Sequence, residues 1–183
     1  HRLRSLLSTD YYHISLSTDV VGVEVAVALK NAYALAVTLA VGMVQRQDGP
    51  DAAPAYNPQA ALFGQSVREM TALLKLLGGG PENIAYGAGD LYVTIFGGRT
   101  RRLGTLLGRG LTINQALRQL EGVTLESVVI TQRMVLAIHT RRQLAQFPLL
   151  HHVGKLLDGE QVAIPWAALI TPPQDKPGAR PCI

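Results

Sequence analysis

The sequence predicts an all-α protein, a multi-helix bundle, and three observations carry that expectation. Ala and Leu are abundant while Phe, Trp and Tyr make up only 5% of the chain, which suits small and branched side chains on closely packed helices. After residue 20 no run alternates with the two-residue period of a strand, whereas apolar residues recur at three-and-four spacing. Helix stop and start signals punctuate these segments, above all Gly78, Gly79 and Gly80 followed by Pro81.

The elements follow in order. The opening "HRLRSLLST" reads as the last turns of a helix, and Tyr11 to Ser17, "YYHISLS", as a short strand. A lone strand leaves its backbone groups unpaired, so its sheet is expected in a preceding domain or in another molecule. Gly22 to Met43 is apolar almost all round, with Glu24, Lys30 and Asn31 as exceptions. Its length suits a membrane span, but Lys at a bilayer centre costs about 2.5–3.5 kcal/mol, so we expect the buried central helix of a bundle and no membrane span. Gln45 to Pro58 is expected to be a loop, and helix resumes from Gln59 to Leu77. A short helix follows Pro81. Thr112 is expected to cap "INQALRQLE" and Thr124 the segment from Leu125 to Leu144. Pro148 opens another helix, "AIPWAALI" closes the fold, and the Pro-rich tail from residue 171 is expected to be disordered. That makes about seven helices in one domain.

With 48% hydrophobic and 16% charged residues the chain has material for a core and is not of disordered composition. The net charge of +4 suits an anionic partner. The single cysteine, Cys182, forms no disulfide within the chain and points to a cytoplasmic setting. No Cys/His cluster has metal-ligand spacing, and His151 and His152 point to different helix faces, so no metal is expected. The chain begins at His1 without a targeting signature and reads as a piece of something longer.

Three places carry candidate chemistry. Lys30 and Asn31 sit midway along the apolar helix. Either Lys30 snorkels from a partly exposed stripe, or it lines a cleft and exchanges a proton there. Asp90 follows Gly87 and Gly89. It is either a helix N-cap or a carboxylate paired with the lysine, and Thr94 shares its face if the segment is helical. "GGRTRRLG" brings Arg99, Arg101 and Arg102 to a helix start. It is either a solvated basic stretch or an oxyanion site of backbone amides and a guanidinium. Nucleic acid is not expected as a partner, because no aromatic platform interleaves the arginines.

The series "STDVVGVEVAVALKN", "GAGDLYVTIFGGRTRR", "LEGVTLES" and "FPLLHHVGKLLDGE" resembles the C-terminal, substrate-binding domain of NAD-dependent glycerol-3-phosphate dehydrogenase, over roughly Leu6 to Glu160. The resemblance implies a helical bundle of the 6-phosphogluconate dehydrogenase C-terminal type beside a Rossmann domain. Residues 1–20 would then be the remnant of that missing domain, 21–170 the helical domain and 171–183 the tail. The implied activity is interconversion of glycerol 3-phosphate and dihydroxyacetone phosphate with NAD or NADP, bound mainly by the absent half. Lys30 would be the general acid/base, with Asp90 beside it. Asn31, Thr94 and Arg99 would hold the small phosphate substrate, and Arg99 and Glu126 would touch the cofactor. Thr100 stands where the family usually has Asn, and offers one hydroxyl donor in place of two amide donors. The usual "TRG" is missing between Asn57 and Gln65.

No G-x-G-x-x-G fingerprint follows a strand, so the isolated chain is expected to be inactive. Family members are often dimers, which makes a homodimer one expected assembly. The alternatives are a non-catalytic domain that binds a phosphate metabolite, a sister dehydrogenase acting on another hydroxy acid, and a helical interaction module.

Overall fold

The computed structural model describes residues 2–54, 56–122 and 125–169. Among them the regular structure is helical: α1 (Arg2–Leu7), α2 (Val20–Asp48), α3 (Tyr56–Leu76), α4 (Ile84–Thr94), α5 (Gly98–Gly108), α6 (Ile113–Gln119), α7 (Glu126–Thr140), α8 (Pro148–Leu157) and α9 (Trp166–Leu169), with 3-10 turns at Pro81–Asn83 and Leu144–Gln146. The all-α expectation is met, with two very short helices, α1 and α9, added to the seven longer ones.

The expected strand at Tyr11 to Ser17 is not formed. Those residues lie almost wholly exposed, and a strand without a neighbour has no ladder to satisfy its backbone. The chain turns locally instead: Thr9 N–H donates to the Tyr12 carbonyl at 2.9 Å and Tyr12 N–H to the Thr9 hydroxyl at 3.0 Å. The loop expected over Gln45 to Pro58 is shorter than that, because α2 continues to Asp48 and Pro58 sits in the first turn of α3, where its missing N–H costs nothing. Thr112 caps α6 in a full capping box with Gln115. Thr124 and the tail from residue 170 lie outside the described residues.

The core is built round α2, which packs against α3, α4, α5, α7 and α8. Leu29, Tyr33, Leu35, Val37 and Leu39 are buried along it. This explains its all-round apolarity: a helix covered on most faces has no polar stripe to show. Although α2 is long and apolar enough to cross a membrane, 61% of its most apolar window is already buried against protein.

Small residues let α5 lie almost on the α2 backbone. A Cβ placed on Gly104 would stand 2.7 Å from the Leu35 carbonyl oxygen, one on Gly108 2.1 Å from that of Leu39, and one on Gly42 2.0 Å from that of Thr105. These obstacles are backbone and cannot swing aside. Gly108→Ala is therefore expected to destabilise the fold by about 1–3 kcal/mol through overpacking, read as a lower urea midpoint.

Two polar anchors organise the rest. Asp19 caps α2 by accepting from Gly22 N–H at 2.8 Å, and its other oxygen accepts from Gly80 N–H at 2.7 Å and Asn83 Nδ2 at 2.6 Å. These donors, Gly80 first, hold its carboxyl below the usual value. Glu69 is 3% exposed. It accepts from the Tyr33 hydroxyl at 2.9 Å, Gln65 Nε2 at 2.8 Å, and the N–H groups of Leu149 and Leu150 at 2.8 and 3.0 Å. Burial pushes its carboxyl upward while the four donors pull it back.

Stability should fall on acidification. Burial, helped by Lys155 and His151, lowers His152 from 6.5 to about 4. The unfolded chain therefore takes up a proton that the folded one refuses. Stability present above pH 6.5 is lost as the pH falls toward 4, by up to about 3 kcal/mol for this group. Asp19 adds a further loss below pH 3.8, since its folded carboxyl is the more acidic. Melting at stepped pH should show a decline beginning near pH 6.5, which His152→Gln should blunt.

Candidate active site

Lys30 lies on α2 where α4 passes alongside. Gly87 opens that approach: its Cβ would stand 2.7 Å from the Ala26 carbonyl oxygen, so only glycine lets α4 come this close. Four residues further along α2 and three along α4, Lys30 Nζ donates to Asp90 Oδ2. The pair is partly open to solvent, with the lysine side chain 22% exposed and the aspartate 35%. It therefore lines a surface rather than filling the core.

Asp90 is not an N-cap. It sits in the middle of α4, which begins at Ile84. Thr94 is one turn on and shares its face. Its hydroxyl donates to the Asp90 carbonyl at 2.7 Å, which leaves its oxygen lone pairs free to accept. Asn31 follows Lys30, about 100° round the helix. It is partly buried.

α5 begins immediately after a sharp turn. Gly97 is extended and Gly98 has φ +80°, a value that L residues rarely adopt. No side chain caps the helix, so its first N–H groups point outward unpaired. A Cβ on either glycine would meet nothing within 4 Å, so the space in front of the helix is open. Arg99 lies in this first turn, exposed and without a hydrogen bond or ion pair among the described residues. Thr100 is partly buried beside it. Arg101 braces the backbone instead of joining this cluster. It donates to the Ile95 carbonyl at 2.6 Å and fastens the end of α4 to the start of α5.

The seam with α2 sets the height of this turn. Gly104 abuts Leu35, and Gly108 abuts Leu39. The two helices therefore run in the same direction, four residues for four. Carried one turn back, this register puts Thr100 opposite Asn31. Lys30 on α2, Asp90 on α4 and the uncapped start of α5 with Arg99 are the groups this part of the fold offers. Glu126 opens α7, is exposed, and has no contact with the Lys30–Asp90 pair among the described residues.

Sequence reasoning overlooked Glu69, Asp19 and Asn83. Glu69 had a signal: Leu62, Gln65, Ser66, Glu69, Met70 and Leu73 are buried together, so a carboxylate recurs at the spacing of an apolar face. Asp19 had the ordinary signal of an Asp one residue before a helix. The site is flanked by exposed apolar side chains, with Tyr92 57% and Phe96 59% exposed and their rings edge to face at 4.9 Å.

Residues 19–165 match the family model described as NAD-dependent glycerol-3-phosphate dehydrogenase C-terminus. An NADP(+)-dependent glycerol-3-phosphate dehydrogenase of Archaeoglobus fulgidus is 33% identical over 123 residues, covering 66% of this chain and 36% of that protein. A glycerol-3-phosphate dehydrogenase [NAD(P)+] of Stenotrophomonas maltophilia is 36% identical over 147 residues, covering 78% of this chain and 40% of that protein. Among solved structures, a glycerol-3-phosphate dehydrogenase from Coxiella burnetii superposes with a TM-score of 0.70 at 26% identity, over 92% of this chain and 49% of that one. The chain spans about two fifths of the length of these curated relatives, 36% and 40%.

Proposed function

Because this chain belongs to the family of NAD-dependent glycerol-3-phosphate dehydrogenase C-terminal domains, we propose that it is the substrate-binding and acid–base half of an enzyme interconverting glycerol 3-phosphate and dihydroxyacetone phosphate. The observation that carries the reading is the Lys30–Asp90 contact, to which the uncapped start of α5 adds an anion site.

The substrate phosphate docks on the free N–H groups of α5, where the helix dipole favours an anion, and Arg99 closes on it as a bidentate fork. Thr100 adds one hydroxyl. The carbonyl then lies toward α2, with Asn31 and Thr94 on its hydroxyl groups. As C2 gains a hydride, Lys30 gives a proton to its oxygen. In the reverse direction it takes the proton back. Asp90 holds the ammonium in place and balances its charge.

The nicotinamide nucleotide, NAD or NADP, supplies the hydride when bound. Two groups of this chain suit it: the unpartnered Arg99 guanidinium can meet its phosphates, and the exposed Glu126 carboxylate can accept from a ribose hydroxyl. The rest of its site belongs to the part of the relatives that this chain does not span. The exposed Tyr92 and Phe96 give that part an apolar edge to rest on. Alone, the chain is expected not to turn over, because hydride transfer needs the nicotinamide held against the carbonyl and only Arg99 and Glu126 are offered to it among the described residues.

The test is NADH oxidation with dihydroxyacetone phosphate by this chain joined to a nucleotide-binding half. Arg99→Lys should raise KM for dihydroxyacetone phosphate about tenfold or more, because a point charge replaces a planar fork. An unchanged KM, with no competition by glycerol 3-phosphate, would favour a sister dehydrogenase of another hydroxy acid.

A further inference from the structure

A cavity lies toward the other end of α2 from Lys30. It has a volume of about 560 Å³ and is walled by Met43, Leu107, Leu111, Leu156, Ile164 and Trp166. Arg46 is about 24 Å along the helix axis from Lys30 at 1.5 Å per residue, so this is not the site described above. The extended segment before α9 forms one wall. It is pinned by Gln161 Nε2, which donates to the Gly110 carbonyl at 2.8 Å.

The lining mixes apolar side chains with Arg46, Gln47, His152, Glu160 and Gln161, and two of these polar groups lack a partner. Arg46 lines the cavity and lies over Gly110, where its Nη1 would be 2.9 Å from an added Cβ. It has no hydrogen bond or ion pair among the described residues. His152 also lines the cavity, is 4% exposed, and its Nε2 is buried without a partner. A buried polar atom left unpaired costs about 1–3 kcal/mol. The acidic group on the wall, Glu160, has Lys155 4.0 Å away. Arg46 is thus the cation on this wall without a counter-ion, beside a hollow lined in part by apolar side chains and large enough for a small molecule.

We propose that this cavity binds a small amphipathic carboxylate, its aliphatic body against Trp166 and the leucines and its anionic head on Arg46. The pairing follows from charge: a neutral apolar ligand would leave the guanidinium idle, and a dianion would meet Glu160.

The chain has one tryptophan, Trp166, so its emission reports occupancy directly. Titration of the 183-residue chain with decanoate should change that emission saturably, and 1-decanol should bind at least tenfold more weakly. Arg46→Ala, an exposed change that should leave the melting curve unaltered, should bring decanoate down to the level of decanol. Removing residues 170–183 should leave the decanoate affinity unchanged. No saturable response, equal affinity for acid and alcohol, or full affinity in Arg46→Ala would overturn the proposal. So would a tenfold gain on removing residues 170–183, which would make that segment the occupant.

Discussion

Replacing Lys30 by Met in an enzyme that contains this chain is expected to lower kcat for dihydroxyacetone phosphate reduction by about 10²–10⁴-fold, the usual contribution of a positioned acid or base. Methionine keeps most of the length and the apolar stem of lysine and removes the ammonium, so α2 should still pack. KM should move far less than kcat, because the proposed phosphate grip on α5 is untouched. The change also frees Asp90, whose carboxylate would then face the substrate without its counter-ion. Asp90→Asn should therefore cost activity too, by less than loss of the lysine, since the amide can still orient the ammonium by accepting from it. Steady-state rates with matched melting curves check both. A Lys30→Met enzyme at full rate would end the acid–base assignment.

Glu69→Ala is expected to be the most damaging single change to the fold. Its carboxylate accepts from two backbone N–H groups of α8, the Tyr33 hydroxyl and Gln65. Truncation leaves four donors in a buried place without an acceptor. At about 1–3 kcal/mol for each unsatisfied group, partly relieved by water entering the space, the loss should be about 4 kcal/mol or more. That corresponds to a fall in Tm of about 10 °C or more for a chain of this size. Glu69→Gln should be milder, because one acceptor oxygen survives, though its amide must then face an N–H. The same residue ties α2, α3 and α8 together. Since Tyr33 is one turn from Lys30, destabilisation should come with loosening of the site. Urea unfolding followed by circular dichroism measures the first effect directly.

Much of the fold was legible because its signals are local. The triple glycine after α3, Pro148 at the start of α8 and the Thr112 capping box act within a few residues, and the sequence shows them. The all-round apolarity of α2 was equally plain, since it states how many neighbours the helix has. The Tyr11 to Ser17 segment misled because strand formation is not local. Alternation describes a surface that fits a sheet, and without a partner strand the backbone turns back on Thr9. The end of α2 misled for the opposite reason: Gly49 and Pro50 mark the stop, while Gln45 to Asp48 suggested a loop through their polarity alone.

At the candidate site, Lys30, Asp90 and Arg99 could be picked out, and pairing of Asp90 with the lysine was one of two readings that helical spacing alone could not decide between. Sixty residues separate the lysine from the carboxylate it contacts. What joins them is Gly87 against Ala26, a packing event that no spacing in the sequence announces. Thr94 shares the Asp90 face as helical spacing implies. Arg101, by contrast, looked like a member of the anion cluster and instead braces the junction of α4 and α5. Glu69 escaped because its place on the apolar face of α3 hints only at burial, while the donors that satisfy it are drawn from three helices.

The most direct measurement is a crystal structure of this chain joined to a nucleotide-binding half, with glycerol 3-phosphate bound. The phosphate is expected on the first turn of α5 against Arg99, and the C2 oxygen within about 3 Å of Lys30 Nζ. A phosphate seated elsewhere, with Lys30 still paired only to Asp90 and remote from the carbon that reacts, would contradict the assignment of this site.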